Sequence, residues 1–119
     1  MGDFRDLDVW RMAHELALLT YRVTEGMPVD ERYALRDQLR RAAAAISANI
    51  AEGSGRTGKR EFANFLGIAR GSLCELQALM LLGRDLELLA ETGLTEFWPL
   101  SERVGKMLGA LEASCRRRA

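Results

Sequence analysis

The chain has 119 residues, 48% hydrophobic and 29% charged, with 17 basic and 17 acidic side chains. A chain of this length buries about two-thirds of its unfolded surface, so one domain over residues 1–119 is expected. The apolar share excludes a disordered polyelectrolyte, and the charge balance excludes a globally basic DNA-binding domain.

Period and punctuation predict four helices. The first is capped by Asp8, and its apolar positions Val9, Met12, Ala13, Leu16, Leu19, Thr20 and Val23 recur every three or four residues. Gly26-Met27-Pro28 stops it, because Pro28 cannot continue the hydrogen-bond ladder. Asp30 caps the second, with Leu35, Leu39, Ala42, Ile46, Asn49 and Ile50 on one stripe, and Gly53-Ser54-Gly55 ends it. The third starts near Lys59, carries Phe62, Phe65, Leu66, Ala69, Leu73, Leu76 and Met80, and runs to about Leu89. Thr92-Gly93 is the next break. Thr95 caps the fourth helix, with Pro99 tolerated near its first turn and Phe97, Leu100, Val104, Met107, Leu108 and Leu111 as its stripe. Arg116-Arg117-Arg118 suits its C-terminal dipole. Short loops make neighbours antiparallel. The fold class is all-α, an antiparallel up-down four-helix bundle.

Two of these helices carry surplus apolar surface. The second has Ala44, Ala48 and Ala51 opposite its main stripe, where charges are expected. The third has a ridge of small residues, Ala63, Gly67, Gly71, Cys74 and Ala78, beside its own stripe, and Leu79–Leu82 is apolar all round. Each mid-helix glycine costs about 1 kcal/mol against alanine, so Gly67 and Gly71 call for close approach of another backbone. Packing within one bundle is one explanation. Self-association through the backs of helices 2 and 3, with Ala44, Ala48, Ala63, Gly67 and Gly71 at the interface, is the favoured one.

Gly53-Ser54-Gly55-Arg56-Thr57-Gly58-Lys59 has the G-x-x-x-x-G-K spacing of a phosphate-binding loop. That chemistry needs a preceding strand and a Ser or Thr after the Lys; here a helix precedes the loop and Arg60 follows the Lys. A nucleotide hydrolase is therefore not the expectation. A single phosphate at the start of helix 3, beside Arg56, Lys59 and Arg60, remains open against a plain solvated turn.

Charge is uneven along the chain: residues 31–60 hold seven basic and three acidic side chains. Arg36 and Arg40 lie one turn apart beside the second helix's stripe, Arg41 lies on the other flank, and Asp37 can pair with Arg41. A solvated charged face is the plain reading. Contact with a nucleic-acid backbone is the functional one, since arginine forks match phosphate oxygens. Several copies in one assembly strengthen a modest patch.

No catalytic constellation is legible. His14 stands alone, Glu52 and Glu75 are isolated carboxylates, and Cys74 and Cys115 have neither disulfide-framework nor zinc spacing, so no metal, cofactor or enzymatic activity is expected. Cys74 reads as a packing residue. Asn49 falls on an apolar stripe, so its amide needs partners, and a buried polar network to Ser72 or Glu75 is expected. No uninterrupted apolar run approaches the roughly 18 residues of a membrane span, and the N-terminus lacks a signal peptide's order, so the expectation is a cytoplasmic protein without a membrane partner.

Phe4-x-Asp6-Leu7-x-Val9-Trp10, Tyr33-x-Leu35-x-x-Gln38-Leu39-Arg40-Arg41-Ala42-Ala43, Ile46-x-x-Asn49-Ile50-Ala51-Glu52-Gly53 and Glu61-Phe62-x-x-Phe65-Leu66-x-Ile68-Ala69-Arg70-Gly71-Ser72-Leu73-x-Glu75-Leu76 together resemble the four-helix-bundle proteins encoded in 23S rRNA intervening sequences. The likeness runs from Phe4 to Leu89, departing at Ala45 and Gly58, where the family often has Ser. It implies a homopentameric ring. A related protein, the accessory variability determinant of diversity-generating retroelements, is a similar pentamer that binds a reverse transcriptase and nucleic acid through basic surface. By that likeness Arg36, Arg40, Arg41, Arg56, Lys59 and Arg60 are the candidates for RNA or DNA contact. The functional expectation is a non-enzymatic oligomeric module binding structured RNA or DNA. The alternative is a scaffold whose ring engages a protein partner without touching nucleic acid.

Overall fold

The structure is a computed structural model, and it describes residues 3–28, 30 and 32–119. A short 3-10 turn, Phe4–Asp6, leads into helices α1 (Asp8–Thr24), α2 (Asp37–Ser54), α3 (Lys59–Asp85) and α4 (Glu91–Arg117). A π-helical turn, Arg32–Arg36, precedes α2. Among the described residues there is no strand. The all-helical expectation holds, and the molecule is a rod of 45 × 24 × 21 Å.

Each helix packs on its neighbours in sequence, and α1 also closes against α4. Contacts between α3 and α4 ascend one helix as they descend the other. Gln77 donates to the Ser101 hydroxyl at 3.2 Å, Leu73 lies against Gly105, and Arg70 meets Glu112. The shared core contains Leu16 of α1, Leu39, Ile46 and Ile50 of α2, Leu66, Leu76 and Met80 of α3, and Phe97, Val104 and Leu108 of α4. The buried hydroxyls of Thr20 and Thr24 donate to the carbonyls one turn back, Leu16 and Thr20, each at 2.8 Å. That pairing is why two polar residues can sit in the core.

Four helix ends differ from expectation. Asp8 is the first residue of α1, not its cap, and its carboxylate pairs with Arg11. The expected cap at Asp30 borders residues 29 and 31, which lie outside the described residues; α2 itself begins at Asp37. The third break lies at 86–90 and not at Thr92-Gly93. There Leu88 N–H donates to Gly83 O and Glu87 N–H to Arg84 O, both at 2.9 Å, while Glu87 adopts φ 59°. This is a Schellman ending with Glu in the left-handed position normally given to Gly. Gly93 lies inside α4 and serves close packing, since a Cβ there would come within 2.8 Å of Val23 Cγ2 on α1. The Thr95 hydroxyl caps nothing and donates to Glu91 O at 3.0 Å. Pro99 is consequently well inside the helix, not near its first turn, and leaves the Thr95 carbonyl without its helical donor.

By length and composition alone α3 could cross a membrane: its most apolar stretch has mean hydropathy 1.4, and only 28% of that stretch is buried. That stretch is not an uninterrupted apolar run, since charged residues such as Arg70 and Glu75 fall within the helix. The helix packs on α2 and α4 with one face and leaves apolar surface over on the other.

Two glycine-related substitutions test this architecture. Glu87→Gly relieves a left-handed non-glycine residue and should raise unfolding stability by about 1 kcal/mol. Gly53→Ala should lower it by about 1–3 kcal/mol despite better helix propensity, since its Cβ would lie 2.5 Å from Phe65 Cβ. Urea midpoints at constant m-value read both, and a neutral Gly53→Ala would contradict the close α2–α3 contact.

Candidate functional site

The feature that sets α3 apart is a second seam. Phe62, Leu66, Ala69, Leu73, Leu76, Met80 and Gly83 follow steps of three and four and are buried in the bundle. Ile68, Gly71, Glu75, Ala78, Leu82 and Leu86 follow the same steps on the opposite side, and all six are exposed. Ile68 is 53% exposed, Leu82 48% and Leu86 55%. A helix with one apolar stripe is an ordinary bundle member; two stripes mean two surfaces to cover.

This seam is rotated from the small-residue ridge that the sequence suggested. Ala63 is fully buried and cannot meet another subunit. Gly67 is half-buried and faces α4, where its Cβ would stand 3.4 Å from Glu112 Oε2. Gly71 has nothing within 4 Å of the position of a Cβ. Ala44 and Ala48 on α2 are exposed, and Cys74, read from sequence as a packing residue, is exposed too. Between α2 and α3 lies a cleft of about 460 Å³ lined by Asp37, Gln38, Arg41, Ala42, Ala45 and Glu75.

The six arginine and lysine candidates do not form one patch. Arg40 is only 16% exposed at its side chain. Its Nε donates to Thr24 Oγ1 at 2.9 Å, its Nη2 to Tyr21 O and to Glu25 Oε2 at 3.1 Å each, and its guanidinium lies 4.5 Å from the Tyr21 ring centroid. Those contacts make Arg40 a clasp between α1 and α2. Arg36 is half-buried, and its Nε is buried without a partner among the described residues. Arg41 is exposed on the α2–α3 side. Arg56, Lys59 and Arg60 are exposed at the other end of α2. Arg56 pairs with Glu52 at 2.8 Å and lies 5.1 Å over Phe65. Gly58 caps α3 without a side-chain acceptor, and Arg56, Thr57, Gly58, Lys59 and Phe62 line a cavity of about 360 Å³ there.

The expected polar network is not formed within the subunit. Asn49 Nδ2 donates to Ala45 O at 2.8 Å, one turn back on its own helix. Ser72 is half-buried and Glu75 exposed, and neither bonds to Asn49. His14 is exposed and stacks on Trp10 with 4.8 Å between ring centroids. Among the described residues no group of three or more His, Cys, Asp or Glu side chains could hold a metal ion.

A polar cluster that sequence reasoning missed lies between α3 and α4. Glu112 is buried, at 7% exposure, and each carboxylate oxygen receives one arginine. Arg70 Nε donates to Oε1 at 2.9 Å; Arg116 Nε and Nη2 donate to Oε2 at 3.1 and 2.8 Å. Burial alone raises the Glu112 pKa, but the hydrogen bonds and charges of Arg70 and Arg116 outweigh it and hold the group below the ordinary carboxylate value. The Glu112–Arg116 spacing of four was readable in sequence; the link to Arg70, 42 residues away, was not.

The family model for 23S rRNA-intervening sequence protein matches residues 5–110. No curated protein matches the chain. A solved protein of unknown function from the S23 ribosomal protein family of Bacteroides thetaiotaomicron VPI-5482 superposes with a TM-score of 0.80 at 20% identity, covering 88% of this chain and 95% of its own. That likeness is one of fold.

The depressed Glu112 pKa fixes a pH dependence. Its contribution is complete above the ordinary glutamate value and is lost as pH falls through the lower folded value. Glu112→Gln should cost about 2–3 kcal/mol at pH 7, with the gap to wild type shrinking at pH 3. Denaturant midpoints at the two pH values measure it, and a gap that does not narrow would contradict the ion-pair account.

Proposed function

The chain belongs to the 23S rRNA-intervening sequence protein family, and from that premise we propose that it is a non-enzymatic, cytoplasmic, homo-oligomeric module that binds nucleic acid. In this reading the bundle is antiparallel throughout, and copies meet through the outer seam of α3 and the alanine face of α2. Likeness to the family suggests five copies in a ring. The observation that carries the reading is the exposed seam of Ile68, Leu82 and Leu86. Each of these side chains would gain about 1 kcal/mol on losing its remaining exposure. Gly71, Ala78, Ala44 and Ala48 leave room for a neighbour's backbone, and Glu75 in the seam and Arg41 beside it supply opposite charges.

Nucleic acid is the ligand class proposed because the exposed basic candidates Arg41, Arg56, Lys59 and Arg60 would recur around such an assembly, and repeated weak contacts multiply. The family description names 23S rRNA, which makes RNA the first polymer to test. Arg40 is left out of the contact set, since its donors are engaged within the subunit.

Ile68→Asp and Leu82→Asp alter exposed side chains and should change subunit stability by no more than about 0.5 kcal/mol. They should nevertheless split the assembly, read as a drop in solution mass toward 13.3 kDa. Variants that keep the wild-type mass would remove this seam as the interface. A partner protein that co-purifies after nuclease treatment would instead select the scaffold reading, for which exposed Leu18 and Tyr21 on α1 offer surface.

A further inference from the structure

We infer that the groove between α3 and α4 is a seat for a nucleic-acid phosphodiester backbone, in which Glu112 acts as a positioning residue for Arg70 and Arg116. This rests on the nucleic-acid reading above and adds a site outside the residues that the sequence suggested. The groove has a volume of about 320 Å³ and is lined by Arg70, Gly109, Glu112, Ala113 and Arg116. Its carboxylate is buried while the two guanidinium-bearing side chains are half exposed, at 52% and 51%. One negative charge thus lies beneath two positive ones, and the local excess faces outward.

The arrangement is directional. Arg70 approaches Oε1 through both Nε and Nη2 at 2.9 Å, and Arg116 grips Oε2 through the same pair of atoms. A guanidinium has five N–H donors, so each arginine keeps donors on its Nη1 side. Arginine's planar fork suits phosphate oxygens, and holding it in place beforehand removes rotamer entropy from the binding step. The α3 wall comes close to the carboxylate at Gly67, where a Cβ would stand 3.4 Å from Glu112 Oε2, and the α4 wall is open at Gly109, where nothing lies within 4 Å of the position of a Cβ.

Positive charge continues along the groove. Lys106, Gly109, Ala113 and Arg117 recur at steps of three and four on α4, and Lys106 and Arg117 are exposed. Glu102, also exposed, marks the far end of that stripe. From Lys106 to Arg116 the helix rises about 15 Å, a span of roughly four phosphates on one strand of a duplex. At the other end, exposed Lys59 and Arg60 begin α3 about two turns beyond Gly67, where α4 finishes. The contacts with α4 put the groove on a different flank of α3 from the cleft shared with α2, so assembly through the α2–α3 side leaves it open.

The test is fluorescence anisotropy with mixed-sequence 20-base-pair RNA and DNA duplexes, titrated from 50 to 200 mM salt. Glu112→Gln adds net positive charge, so simple electrostatics makes it bind more tightly; positioning makes it bind about tenfold more weakly. The charge-conserving double variant Arg70→Lys/Arg116→Lys should also weaken binding several-fold. Lys106→Ala should reduce the salt slope by about 0.9. Circular dichroism confirms folding at the assay temperature. Should Glu112→Gln unfold, the double variant and the Lys106 slope decide. Wild-type binding to either duplex, with all three groove variants equal to wild type, overturns the groove alone. No wild-type binding to either duplex overturns the nucleic-acid reading and the groove with it.

Discussion

A bundle helix has one face to bury, and α3 has two. Its inner seam, Phe62 to Gly83, is matched by α2 and α4 within the chain. Its outer seam, Ile68 to Leu86, has the same three-four rhythm and no cover among the described residues. The rest of the structure is organised around that constraint. Both loops flanking α3 end their preceding helix sharply, α2 shows alanines where a surface helix would carry charge, and Gly71 lies on the outer seam within α3 despite a helix penalty of about 1 kcal/mol.

Polar groups follow the same division. Those facing α1 and α4 are clasped within the subunit: Arg40 ties α2 to Thr24, Tyr21 and Glu25, and Glu112 ties α4 to Arg70. Arg41 beside the outer seam and Glu75 within it line an open cleft. Internal ion pairs therefore fix the bundle, while the seam and the α3–α4 groove stay at its surface, the first largely apolar and the second bearing two half-exposed arginines.

Much of the fold was readable from sequence because helix period and Gly-Pro punctuation act locally. Gly26-Met27-Pro28 and Gly53-Ser54-Gly55 mark the ends of α1 and α2, and Lys59 marks the start of α3. The α3–α4 turn was misread because its left-handed residue is Glu87, while the nearby Gly93 serves close packing on Val23 and not a turn. The candidate site was less legible. Small residues at four-step spacing pointed to a ridge through Ala63 and Gly67, but helix rotation turns both toward the bundle. The sequence places Arg41 on the other flank of the stripe from Arg36 and Arg40, but not the engagement of Arg40 with Thr24, Tyr21 and Glu25, which depends on how α1 packs on α2. Arg70 and Glu112 meet only through tertiary packing, which no local pattern encodes.

Sedimentation equilibrium of the wild-type chain over a dilution series addresses the central proposition most directly. Coverage of the α3 seam by further copies predicts a mass several times 13.3 kDa that persists into the low micromolar range. A chain that sediments at 13.3 kDa and stays dispersed at high concentration, with Ile68, Leu82 and Leu86 in water, would contradict it.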